Sequence, residues 1–77
     1  MKKDEFFQTI QMARFKLSLI NELSETIAQN LDYCTESPQA AMIAKYDALT
    51  AASELCKTSA SILDEVVAIQ KYDASDS

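Results

Sequence analysis

The residues of this chain that could do chemistry are its carboxylates, its two cysteines and its many hydroxyls. Glu22 and Glu25 share one face of a predicted helix, while Asp64 and Glu65 are adjacent. Paired carboxylates hold metals in di-metal helical bundles, but those sites also use Glu-x-x-His, and the chain has no histidine. We therefore expect no metal site and interpret both carboxylate pairs as solvated helix surface.

The residue types also argue against nucleophilic catalysis. A serine or threonine nucleophile needs an activating base within reach, and only lysine or carboxylate could serve here. Cys56 precedes Lys57, but adjacent residues of a helix point in different directions. Because the chain contains no glycine, it has no glycine-rich loop that could hold a phosphate. The sequence predicts neither enzyme activity nor a cofactor.

Composition narrows the class of protein further. The length of 77 residues fits a single domain. The net charge of −5 disfavours a nucleic-acid binder, which needs clustered basic residues. No apolar run approaches the roughly 18–20 residues that cross a bilayer, and the N-terminus lacks the apolar stretch of a secretory signal. We expect a cytoplasmic protein without stable membrane insertion.

Two helices are predicted to position these residues. A first helix over about 4–31 follows from apolar residues at spacings of three and four. Ser37 suits the N-cap of a second helix and Pro38 its first turn, which predicts a turn over about 32–37. The second helix then spans about 38–72, before a polar tail at 73–77. The predicted seam of the first helix is Phe6, Ile10, Ala13, Leu17, Ile20, Ser24, Ile27 and Leu31.

The two predicted helices make the fold all-α. Because the turn between them is short, we expect them to form an antiparallel two-helix hairpin. The expected facing pairs are Leu17 with Leu55, Ile20 with Ala52, Leu31 with Ala41, Ile10 with Ile62, Phe6 with Val66, and Lys16 with Cys56. Cys34 then lies at the turn, too far from Cys56 for an intrachain disulfide. We interpret both cysteines as small buried apolar residues.

Both helices carry more apolar residues than one seam can bury. Exposed apolar patches mark interfaces, and small scaffolds without disulfides or metals commonly oligomerise. We therefore expect a homodimer that closes into a four-helix bundle. Phe7 and Phe15 are also candidates for contact with one further protein partner. The predicted dimer or partner interface comprises Phe7, Met12, Phe15, Leu19, Leu23, Met42, Tyr46, Leu49, Cys56, Leu63 and Val67.

Charge is unevenly distributed along the hairpin. Basic residues cluster near the N-terminus, whereas the turn is acidic. The acidic turn could meet a basic partner, and the phenylalanine-rich basic start could lie on a membrane surface. We favour the interpretation that both are solvated helix surfaces.

One segment suggests a different class of function. Glu36-Ser37-Pro38-Gln39-Ala40-Ala41-Met42, followed by Tyr46 and Ala48-Leu49, resembles the turn-and-helix segment of small R-body (refractile-body) structural proteins. The resemblance implies a structural subunit that polymerises. Two interpretations thus remain. The first is a non-enzymatic dimer that binds another protein as a regulator, inhibitor, chaperone or adaptor. The second is a self-assembling structural subunit.

Overall fold

The computed structural model describes residues 1–73 and shows two helices packed against each other. Helix α1 comprises Lys3–Tyr33 and helix α2 comprises Pro38–Lys71. The sequence predicted about 4–31 and 38–72 for them; of its predicted tail, residues 74–77 lie outside the described residues. The molecule is an elongated hairpin with principal extents of 60 × 14 × 12 Å.

The turn reverses the chain without glycine. Ser37 Oγ accepts a hydrogen bond from the backbone N–H of Ala40 at 3.1 Å, and Pro38 occupies the start of α2. This confirms the predicted Ser-Pro cap. On the other side, the N–H of Thr35 donates to the carbonyl of Asp32 at 3.1 Å. No residue among the described positions has a positive φ, so the turn needs no glycine.

A heptad pattern of buried and half-buried residues forms the seam between the helices. Only Ala13, Ala44 and Ala51 are buried in the described chain, and the small methyl groups of alanine allow the two helices to approach closely. In α1 and its C-cap the seam consists of Phe6, Thr9, Ala13, Lys16, Ile20, Leu23, Ile27, Asn30 and Cys34. In α2 and its C-cap it consists of Ala41, Ala44, Ala48, Ala51, Leu55, Thr58, Ile62, Glu65, Ile69 and Tyr72.

The predicted seam of α1 is wrong at four positions. Leu17 is 52% exposed, Leu31 is 57% exposed, Ser24 is also exposed, and half-buried Ile10 lies beside the seam. The seam instead passes through the residue preceding each of them, namely Thr9, Lys16, Leu23 and Asn30. The alanines of α2 leave room for these side chains, whereas apolar periodicity alone favoured Leu17 and Leu31.

The predicted facing pairs are also displaced along α2. Phe6 stacks on Tyr72, with ring centroids 4.0 Å apart and planes inclined by 14°, while its predicted partner Val66 is exposed. Lys16 reaches Ser61 and Glu65 rather than Cys56. Side chains of a helix lean toward its N-terminus, and in this hairpin that direction leads toward the C-terminus of α2. The contacts therefore lie farther along α2 than the turn alone predicts.

A charged cluster interrupts the seam. Lys16 Nζ donates a hydrogen bond to Ser61 Oγ at 2.6 Å and forms an ion pair with Glu65 Oε1. The side chains of Lys16 and Glu65 are 23% and 14% exposed, so Glu65 is not the solvated surface residue predicted. Its second oxygen, Oε2, is buried without a hydrogen-bond partner. The hairpin thus has a polar cluster at a position of the seam that apolar side chains could otherwise fill.

Candidate functional site

The hairpin leaves its large apolar side chains outside. The buried residues of the described chain are all alanines, whereas many aromatic and branched aliphatic residues are exposed, up to 72% for Tyr46. Large exposed apolar surfaces on a small protein mark interaction sites. The exposed set is Met1, Phe7, Met12, Phe15, Leu17, Leu31, Tyr33, Met42, Ile43, Tyr46, Leu49, Leu63, Val66 and Val67.

Heptad geometry divides this surface into two sides. One flank of the seam in α1 is formed by the residues one and four positions after Phe6, and by every seventh residue from each of these. In α2 the same rule starts from Ala41. Equivalent flanks of two antiparallel helices lie on the same side of a hairpin. We call this side the apolar face, and its apolar members are Phe7, Ile10, Leu17, Leu31, Met42, Leu49, Cys56, Leu63 and Val66.

The apolar face carries no carboxylate within either helix. Its charged residues are Lys3, Arg14 and Lys45, all exposed. Long basic side chains can lay their aliphatic stems on apolar surface and keep their charges in water. The face could therefore be covered by another apolar surface without burying a carboxylate.

The opposite flank, which we call the acidic face, mixes apolar and acidic residues. A groove near the turn is lined by Tyr33 and Ala40 together with Asp47, which supports the assignment of equivalent heptad positions to one side. The apolar members of the acidic face are Met12, Phe15, Leu19, Tyr33 and Ile43. Its carboxylates are Glu5, Glu22, Glu36, Asp47, Glu54 and Asp64.

The predicted interface residues are distributed over both faces. Phe7, Met42, Leu49, Cys56 and Leu63 lie on the apolar face. Exposed Tyr46 and Val67 lie beside it, on the outer side of α2. Met12, Phe15 and half-buried Leu19 lie on the acidic face, while Leu23 belongs to the seam and is half-buried.

Sequence reasoning missed four members of the apolar face because it assigned them to the seam: Ile10, Leu17, Leu31 and Val66. The signal that could have corrected this lies in α2. Its row Ala41, Ala44, Ala48 and Ala51 identifies the side on which another helix approaches closely. Given that seam, the heptad places the large residues outside.

Cys56 contradicts the expectation that both cysteines are buried. Its side chain is exposed on the apolar face, whereas Cys34 is half-buried at the turn, and both are free thiols. Cys56 lies outside because the alanine row of α2 occupies the seam. The two thiols therefore lie in different environments.

The sequence predicted no metal site or catalytic role for the carboxylates Glu22 and Glu25. Glu22 and Glu25 are both exposed, and with Asp32 they line an open groove on the outer side of α1. Residues 1–73 contain no group of three or more potential ligands that could hold a metal ion. Within the same residues, neither helix is both long and apolar enough to span a bilayer.

Comparison with known proteins finds no significant match to this chain among protein-family models, curated proteins or solved structures.

Proposed function

We propose that this chain is a non-enzymatic helical protein of the cytoplasm that homodimerises through its apolar face and acts by binding another protein. The observation that carries the proposal is the apolar face itself. It presents Leu17, Leu31, Leu49 and Leu63 on a hairpin whose only buried described residues are alanines. Such a hairpin has little core of its own, and pairing would supply one.

The dimensions of the hairpin support pairing. Its accessible surface is 5870 Å², about 1,200 Å² more than the roughly 4,700 Å² typical of a globular monomer of 8.6 kDa. A standard protein interface buries about 800 Å² of each partner. The Cα radius of gyration is 17.5 Å, compared with about 11.5 Å for a compact domain of this length. The excess surface is therefore large enough for a stable dimer.

The proposed dimer is a four-helix bundle made by stacking two apolar faces. Met42, Leu49, Cys56 and Leu63 recur every seven residues along α2, which is the spacing of a coiled-coil row. A second copy can place the same row against α1 or α2, because a two-fold axis makes the interface self-complementary. Lys3, Arg14 and Lys45 would lie at the rim with their charges in water.

Dimerisation through the apolar face leaves the acidic face available for another protein. Phe15 is 65% exposed and Met12 is 50% exposed there, one turn apart on α1. An exposed aromatic ring is a frequent anchor of protein interfaces. The protein-binding part of the proposal rests on this second surface.

The alternative is a self-assembling structural subunit. Tyr46 and Val67 extend the apolar surface around the outer side of α2, beyond the apolar face. If this outer side met a different surface of the next copy, the contact would be heterologous and could propagate into filaments. The R-body-like segment at the turn of the chain agrees with this alternative.

Light scattering of the purified chain distinguishes these proposals. A closed dimer has twice the chain mass of 8.6 kDa, whereas the structural subunit gives a ladder of larger species. Leu49→Asp places a charge in the apolar face and should abolish the dimer mass. The matched control is Thr50→Asp, an exposed neighbour on the acidic face, which should leave the dimer mass unchanged. A folded wild-type monomer, or a Leu49→Asp dimer, would contradict the proposed dimer.

A further inference from the structure

The acidic face has an open groove where the two helices meet the turn. The groove has a volume of about 300 Å³ and is lined by Asn30, Tyr33, Glu36, Ala40, Ile43, Ala44 and Asp47. Its apolar walls are Tyr33, 46% exposed, and Ile43, 62% exposed, and buried Ala44 lies at its base. The groove therefore offers a place for an apolar side chain between two exposed apolar walls.

The rim of this groove is negatively charged. Glu36 and Asp47 both line it, and no basic residue does. The surroundings reinforce this sign, because residues 17–56 contain only one basic residue, Lys45, on the apolar face. The carboxylates of that segment are Glu22, Glu25, Asp32, Glu36, Asp47 and Glu54. Six negative charges and one positive charge give −5, which equals the net charge of the whole chain.

We infer that the groove at the turn binds a basic amphipathic helix of another protein. An apolar side chain of that helix lies between Tyr33 and Ile43, and its lysines or arginines face Glu36 and Asp47. This inference rests on the protein-binding part of the proposed function and names the chemistry of the partner.

Charge complementarity selects this occupant over other candidates. A second copy of the turn would bring its own carboxylates against Glu36 and Asp47, and like charges in contact oppose association. An anionic membrane or a nucleic acid would be repelled for the same reason. An amphipathic helix supplies both the apolar side chain and the basic groups, in the same way that helices bind grooves in other recognition systems.

Fluorescence anisotropy with a synthetic helix tests the inference. The probe is a fluorescein-labelled peptide with two copies of Leu-Lys-Lys-Leu-Leu-Lys-Leu. It should bind the wild-type chain, and raising the salt to about 0.5 M should weaken binding, because screening shortens the range of the charge interaction. A peptide with glutamate in place of lysine should not bind, and one with serine in place of leucine should bind more weakly.

Two variants locate the site of binding. Glu36→Gln with Asp47→Asn removes the rim charges, and Ile43→Ser removes an apolar wall; each should weaken binding about fivefold or more. The charge-matched control, Asp4→Asn with Glu5→Gln, changes two exposed carboxylates at the other end of α1 and should bind as the wild type does. Equal binding by all variants, or binding of the glutamate peptide, would overturn the inference.

The same samples separate this inference from the proposed dimer. Light scattering of the wild type and of each groove variant reports the mass independently of peptide binding. A dimer that binds no basic helix contradicts only the groove, whereas a monomer that binds the helix contradicts only the dimer.

Discussion

At the scale of single residues, the Lys16 cluster sets the seam apart from an ordinary coiled coil. Lys16 bridges to Ser61 and Glu65 across the hairpin, although an apolar pair could fill the same space. A buried or half-buried ion pair contributes little net stability, but the loss of one partner leaves the other charge poorly solvated. The cluster therefore disfavours arrangements of the two helices that leave Lys16 or Glu65 without its partner.

Removal of one member of this cluster should destabilise the protein. We expect Lys16→Ala to lower the free energy of unfolding by about 2–3 kcal/mol, because Glu65 keeps a charge with both oxygens deprived of partners. Urea denaturation monitored by circular dichroism measures the change.

The matched control for Lys16 lies on the surface of α2. Lys57 pairs with Glu54 at 3.5 Å, and both side chains are largely exposed. Lys57→Ala should therefore change the free energy of unfolding by less than about 0.5 kcal/mol. If the two lysine variants were equally stable, the Lys16 cluster would have no structural role.

At the scale of helices and turn, features that depend on neighbouring residues could be predicted from the sequence. Features that depend on the packing of one helix against the other could not. The Ser37-Pro38 start of α2 was predictable because capping depends only on neighbouring residues. The seam of α1 was not, because its several apolar rows satisfy the same heptad period. Which row faces inward depends on the alanines of α2, and for this reason Lys16 rather than Leu17 lies in the seam. The same choice exposed Cys56 and placed the predicted interface residues on two different faces.

The close approach of the helices at their alanine row gives a test at this scale. Ala44 is 2% exposed, so Ala44→Leu should force the helices apart and lower the free energy of unfolding by about 1–3 kcal/mol. The matched control, Ala60→Leu, adds the same side chain at an exposed position of α2 and should cost less than about 0.5 kcal/mol. Thermal or urea denaturation compares the two, and equal costs would contradict the assigned seam.

At the scale of the whole molecule, the hairpin resembles one half of a helical bundle. Its helices bury alanines against each other and direct most of their leucines, methionines and phenylalanines outward. Its net negative charge is concentrated in the half that contains the turn, away from the termini. These two distributions are the basis of the two proposals, that the apolar face pairs with a second copy and that the acidic face receives a basic partner.

The reactivity of Cys56 tests the pairing of apolar faces most directly. In the single hairpin this thiol is exposed, and in the proposed dimer a second copy covers it. With Cys34→Ser as background, maleimide labelling reports Cys56 alone. We expect labelling of the concentrated protein to be about tenfold slower, or more, than labelling after dilution to monomer, and Leu49→Asp to remove the difference. Fast labelling of folded protein at every concentration would contradict the account.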